Sequence, residues 1–142
     1  MTSDNVRLVR EGVQAYIDGD AERALEMIHP DMVSVRVAPL PDPQTYHGLE
    51  GVAQMYADWT ADFADFEMWI GECFEAGDDR VVVELAQRGT GKASGAPVEG
   101  RFWFVFTVAG TKTVRQDVYA SREQAVTEAG RTSAGTPPRR TA

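Results

Sequence analysis

A chain of 142 residues and 15.6 kDa is the size of one domain and can bury a core without disulfides or a structural metal. Its 43% hydrophobic and 25% charged residues suit a soluble globular protein, and no apolar run approaches the ~20 residues of a membrane span. A formal charge of -8 opposes phosphate backbones and anionic lipid, whose binding rests on clustered Lys and Arg. Neither nucleic acid nor a membrane is an expected partner.

Cys73 is the only cysteine, so no internal disulfide can form and a thiolate zinc site lacks ligands. A cytoplasmic location fits this best, and residues 1–10 lack the basic start, apolar stretch and cleavage site of a secretory signal.

Asp4 can cap a first helix whose apolar positions Val6, Val9, Val13, Tyr16 and Ile17 recur at helical spacing and end at Gly19-Asp20. Asp20 caps a short second helix bearing Ala21, Ala24, Leu25 and Ile28, which stops near His29 because Pro30 disfavours helical geometry before it. Residues 32–37 read as a strand. Residues 38–46 hold Pro39, Pro41 and Pro43 and read as a loop on a rim. From Leu49, the positions Val52, Met55, Tyr56, Trp59, Phe63 and Phe66 follow helical spacing, which predicts a third helix of nearly five turns.

Residues 67–75, 80–88, 101–108 and 113–120 read as strands separated by Gly-containing turns. Ser121 caps a terminal helix that Gly130 ends. Residues 131–142, poor in apolar side chains and containing Pro137-Pro138, are expected to be a disordered tail after a single domain of residues 1–130. Helices followed by an antiparallel meander define an α+β domain.

In Phe102-Trp103-Phe104-Val105-Phe106 successive side chains point to opposite faces, yet all are apolar. Both faces of the sheet must therefore be covered. Helices one to three can cover one; a second copy of the chain is expected on the other, giving a homodimer through the sheet, with the terminal helix as the alternative cover.

The order of these features is a helical hairpin ending at Gly19-Asp20, His29-Pro30-Asp31, a strand, a proline loop, residues 46–52 as Tyr-His-Gly-Leu-Glu-Gly-Val, a long helix, four strands, and Tyr119 before Ser121-Arg122-Glu123. It resembles the nuclear transport factor 2-like superfamily, and within it the SnoaL-like proteins, whose founding members cyclise polyketides. The resemblance runs from about Asn5 to Gly130. It implies a cone-shaped, curved, mostly antiparallel sheet wrapped around the long helix with an N-terminal helical hairpin, a pocket open at one end, and homodimers.

Strand alternation puts Thr113, Arg115, Asp117 and Tyr119 on one face of the last strand. A carboxylate between an arginine and a phenol can act as a general acid or base, and Asp117 is expected to reach the pocket as the proton-transfer group. The alternative is a plain Arg115–Asp117 ion pair. The resemblance implies an acidic residue near Asp117-Val118-Tyr119, as in limonene epoxide hydrolase-like relatives and SnoaL-like cyclases. The Arg-x-Asp pair of those hydrolases is replaced by Glu84-Leu85-Ala86, and the catalytic positions of ketosteroid isomerases by Arg36 and Gly12; both activities are disfavoured.

Glu84 could supply a buried carboxylate, although pairing with a neighbouring arginine is its more ordinary role. His47, just before the third helix, could titrate at a pocket mouth or stand exposed in a loop, while His29 reads as structural. Tyr16, Tyr56, Trp59, Trp103 and Tyr119, with Glu84, are expected to line an apolar pocket with a few polar anchors. Two histidines without compact ligand spacing predict no metal site, and nothing points to a cofactor. Three functions fit these features: cofactor-free acid/base chemistry on a hydrophobic metabolite, with Arg115, His47 and Tyr119 orienting it; ligand binding without catalysis; or a dimerisation module.

Overall fold

The computed structural model describes residues 3–134. The chain folds as α1 (Asp4–Ile17), α2 (Ala21–Glu26), β1 (Ile28–Arg36), β2 (Gln44–His47), α3 (Gly48–Thr60), β3 (Phe63–Glu75), β4 (Arg80–Gly91), β5 (Pro97–Ala109), β6 (Lys112–Tyr119) and α4 (Arg122–Ala134). The strands form one sheet in the order β2-β1-β6-β5-β4-β3. All neighbours are antiparallel except β1 and β6, which run parallel. The expected α+β class and curved sheet are present.

Ser3, not Asp4, caps α1 by accepting from the Val6 N–H at 3.1 Å. Asp20 caps α2 as expected, after Gly19 turns the chain at φ 82°. The strand after α2 begins at Ile28 rather than at residue 32. It takes in His29-Pro30-Asp31 through an irregularity in its pairing with β6 between Ile28 and Val33. His29 keeps the structural role expected of it: its Nδ1 accepts from the Asp31 N–H at 2.9 Å.

The proline loop yields the short edge strand β2, whose Tyr46 pairs with Ser34. Helix α3 ends at Thr60, so Phe63 and Phe66 belong to β3 and not to the helix. The reason is the length of the β4–β5 hairpin, which continues to Gly91 and Pro97; Phe63 pairs with Gly91 and extends the sheet to its full height. Helix α4 continues past Gly130 to Ala134, and the rest of the expected disordered tail lies outside the described residues.

Alternation along the strands sorts two cores. The inner face contributes Val81, Val83, Leu85, Phe104, Phe106 and Val118, packed under α1 and α3 with Val9, Val13 and Met55. The outer face contributes Val82, Val105 and Tyr119, packed under Ala125 and Ala129 of α4. The doubly apolar β5 is thus covered on both faces by this chain's own helices, and α4 takes part of the place assigned to a second copy. Beyond α4, Trp69 stays 43% exposed. Among the described residues no helix is long and apolar enough to cross a membrane.

Candidate functional site

Between the helices and the inner face of the sheet lies a cavity of about 360 Å³. Val13 and Tyr16 of α1, Ala24 and Leu25 of α2, and Val52, Ala53 and Tyr56 of α3 form its walls; Met32, Phe106 and Gln116 form its floor. Two wider depressions are open troughs: one of about 660 Å³ lined largely by charged side chains such as Glu22, Arg23 and Glu26, and one of about 720 Å³ in which Tyr16, Phe66, Met68 and Trp69 stand beside Glu67 and Arg88. The smaller cavity has the apolar character of a ligand site.

Its polar groups lie on the floor. Gln116 is 1% exposed; its Oε1 accepts from the Tyr56 hydroxyl at 3.2 Å and its Nε2 donates to Ser34 Oγ at 2.9 Å. The Tyr16 ring stands 4.5 Å from that of Tyr56. Burial raises the pKa of both phenols, and for Tyr56 the neighbouring Tyr16 adds to it. They are therefore hydrogen-bond donors rather than bases at neutral pH.

One helical turn further, the Trp59 indole N–H donates to Gln87 Oε1 at 2.6 Å, and its ring meets Phe102 edge-on at 4.6 Å. Phe104 joins the two layers, with ring centroids 6.4 Å from Tyr56 and 6.2 Å from Trp59. The Arg36 guanidinium lies 5.3 Å from the Trp59 ring centre. Above it, the Tyr46 hydroxyl donates to Asp58 at 2.9 Å.

The expected site residues divide between the faces. Tyr16 and Tyr56 line the cavity and Trp59 joins the inner core. Asp117 does not reach the cavity: Gln116 points into it, so Asp117 and Arg115, one residue to either side on β6, face outward. There Arg115 Nε and Nη2 clasp the Asp117 carboxylate at 3.0 Å, the ion pair that was the alternative reading. Tyr119 lies beneath α4, its pKa raised by burial and next by Asp117. Trp103 also faces outward.

Glu84 shares the outer face and accepts from the Glu72 backbone N–H at 2.9 Å and from Arg101 at 2.6 Å. That backbone bond, against the opposing effect of burial and with help from Arg101, lowers its pKa. His47 occupies the N-cap of α3 without a side-chain capping bond, is exposed, and does not line the cavity. Among the described residues no group of three or more His, Cys, Asp or Glu side chains is placed to hold a metal.

The residues that sequence reading missed are Ser34, Gln87 and Gln116, polar and buried on the inner face. The signal was available: on β6 the residue sharing a face with Val118, the apolar face, is Gln116, and a polar side chain on a core face is the informative exception.

This architecture is the nuclear transport factor 2-like fold. A family model for the SnoaL-like domain matches residues 9–116, and the chain belongs to that family. Among solved structures, a nuclear transport factor 2-like protein of unknown function from Burkholderia pseudomallei K96243 is 22% identical. It covers 94% of this chain and 100% of its own, at a TM-score of 0.70. TerC, crystallised with polyporic acid, is also 22% identical, covering 92% and 100% at 0.70. A candidate SnoaL-like polyketide cyclase from Jannaschia sp. CCS1 is 20% identical, covering 96% and 99% at 0.68. At these identities the likeness establishes the fold. No curated protein matches the chain.

Proposed function

We propose that this chain binds a hydrophobic small molecule in the cavity beneath α1, α2 and α3. The observation that carries this reading is an apolar cavity whose floor holds one ordered polar pair, Tyr56 and Gln116. Apolar walls supply affinity through excluded water, and the pair reads a single polar group of the ligand. TerC, of the same fold, was crystallised with a polyporic acid ligand, which agrees with a small organic molecule as occupant.

A second reading, cyclisation or isomerisation of that ligand, is favoured by the Tyr16 and Tyr56 phenols. Burial keeps them protonated, so they can donate to an oxyanion that develops in a transition state. Among the described residues no carboxylate or imidazole lines the cavity, so this chemistry would rest on confinement and hydrogen-bond donation. Asp117, on the other face, has no part in it. A homodimer through the outer face belongs to the proposal only around Trp69, which α4 leaves exposed; a monomer mass by light scattering would remove it.

The test uses the neutral fluorescent probe N-phenyl-1-naphthylamine. Its emission should rise on binding to the wild type. The increase should be lost in Ala53→Trp, which places an indole at the exposed mouth without touching the core. Equal binding by both proteins would refute the location.

A further inference from the structure

On the inner face, Arg36 is 8% exposed, and its Nε and Nη2 atoms are out of solvent and without a hydrogen-bond partner among the described residues. The remaining terminal nitrogen, Nη1, donates to the Pro41 carbonyl at 3.3 Å. The Trp59 ring lies 5.3 Å from the guanidinium carbon, and Trp59 is itself held by Gln87. The cation is thus fixed by the loop after β1 and by α3, while one edge of it faces inward unused.

That edge has a defined chemistry. Nε and Nη2 present two parallel N–H bonds that match the two oxygens of a carboxylate. Two other arginines of this chain use the same edge in that way: Arg115 on Asp117, and Arg122 on Glu72. Arg36 makes no ion pair among the described residues. Of the two carboxylates whose charge acts with that of Arg36 on the Tyr46 phenol, Asp58 and Asp42, Asp58 is engaged by the Tyr46 hydroxyl at 2.9 Å and by Gln54 at 2.7 Å, and Asp42 forms no ion pair with Arg36. A guanidinium withdrawn from water with its fork unmatched is costly, and a buried charge is normally compensated by an opposite one.

We infer that Arg36 is an anchor for a planar oxyanion, and that the ligand of this protein is a hydrophobic organic acid, carrying a carboxylate or an ionised enol. The inference rests on the cavity proposed above and adds the charge of its occupant. Arg36 and Trp59 do not themselves line the cavity; they continue the strand and the helix that do. Arg36 lies two residues beyond Ser34 on the same face of β1, ~7 Å along the strand, and Trp59 lies one turn beyond Tyr56 on α3, ~5 Å away. The inference joins an apolar body over Gln116 and an acid group at Arg36 in one small, flat molecule.

The experiment compares 2-naphthoate with 2-naphthamide, equal in shape and different in charge, by calorimetry or by quenching of tryptophan emission at neutral pH. The wild type should prefer the acid by about ten- to a hundredfold, the worth of a charge-assisted fork. Arg36→Met should lose that preference and keep its affinity for the amide; Arg36→Lys, which keeps the charge but not the fork, should fall between. Equal binding of the two probes by the wild type overturns the inference, and so does a preference that survives in Arg36→Met.

Sodium formate, too small to need the cavity, separates this inference from the cavity proposal. Formate should raise the wild-type melting temperature more than sodium chloride of equal ionic strength, and should not do so in Arg36→Met. Equal rises in the wild type refute the anion site whether or not the naphthyl probes bind. Failure of both naphthyl probes beside a positive formate result refutes the joint acid-in-cavity ligand. The wild-type comparisons stand even where a variant fails to fold.

Discussion

Gln116→Leu tests whether the floor of the cavity is a built polar feature. The substitution keeps size and removes two hydrogen bonds, to Ser34 at 2.9 Å and from Tyr56 at 3.2 Å. Each is worth about 1 kcal/mol net, and leaving the fully buried Ser34 hydroxyl without its donor adds about 1–3 kcal/mol. Burying a leucine in place of the amide returns about 1–2 kcal/mol. The balance is a destabilisation of about 2 kcal/mol, or roughly 4–8 °C in melting temperature for a domain of this size.

Urea unfolding at pH 7, followed by tryptophan emission and by far-ultraviolet circular dichroism, gives the midpoint and the slope. Tyr56→Phe alone should cost about 1 kcal/mol. The double variant should cost less than the sum, with a coupling above about 0.5 kcal/mol, because both substitutions break the same bond. A loss under about 0.5 kcal/mol in Gln116→Leu, or strict additivity with Tyr56→Phe, would refute the polar floor.

Glu84 has a lowered folded-state pKa, held down first by the Glu72 backbone N–H, so the stability it contributes is present above its ordinary value of 4.5 and is lost as pH falls through the lower folded value. The stability gap between the wild type and Glu84→Gln should therefore be widest near neutral pH and shrink in acid; a gap that widens below pH ~4.5 would contradict the assigned partners. Gly71→Ala should cost about 1–3 kcal/mol in thermal unfolding, because a Cβ there would lie 2.2 Å from the tethered Glu84 Oε1; an unchanged melting temperature would show that Glu84 is free to move. Asp117→Asn should lose about 1 kcal/mol or less and leave N-phenyl-1-naphthylamine binding intact, since Arg115 is half exposed and the pair lies on the outer face. Lost probe binding in that variant would return Asp117 to the site.

Much of the fold was legible because periodicity reports which side of an element is wet. Val6, Val9 and Val13 marked the buried stripe of α1, and the all-apolar run at residues 102–106 required two covered faces, which the structure supplies. Periodicity failed where two elements met. Phe63 and Phe66 continue the spacing of α3, yet the tall β4–β5 hairpin recruits them into β3, a tertiary demand that spacing within a helix does not encode.

The site was legible in part. Tyr16, Tyr56 and Trp59 lie on the inner side, as aromatic residues on the helices suggested. Asp117 was misplaced because alternation gives two faces without saying which is inner, and the acidic side was taken as the functional one. The neighbouring pattern decides it: Val118 shares its face with Gln116 and joins the inner core, which turns Asp117 outward. Arg36, a cation one strand away in space and 76 or more positions from β6 in sequence, could be matched to its surroundings only once the sheet order was known.

The parallel pairing of β1 with β6 also governs when the fold can be completed. Thr113 donates to the Met27 carbonyl and Gln116 to Ser34, contacts that join residues 86 and 82 positions apart. The β1–β2 pair thus waits for the last strand before it gains a place in the sheet, whereas α1 can already lie on β3 and β4, and the loop-closure entropy of the β1–β6 pairing is the largest the sheet must meet. During synthesis the cavity walls are complete before Phe106 and Gln116 of its floor are made. A ribosome that stalls before residue 119 releases a chain with exposed helix faces and an unpaired β1 edge, the species that protein quality control would meet.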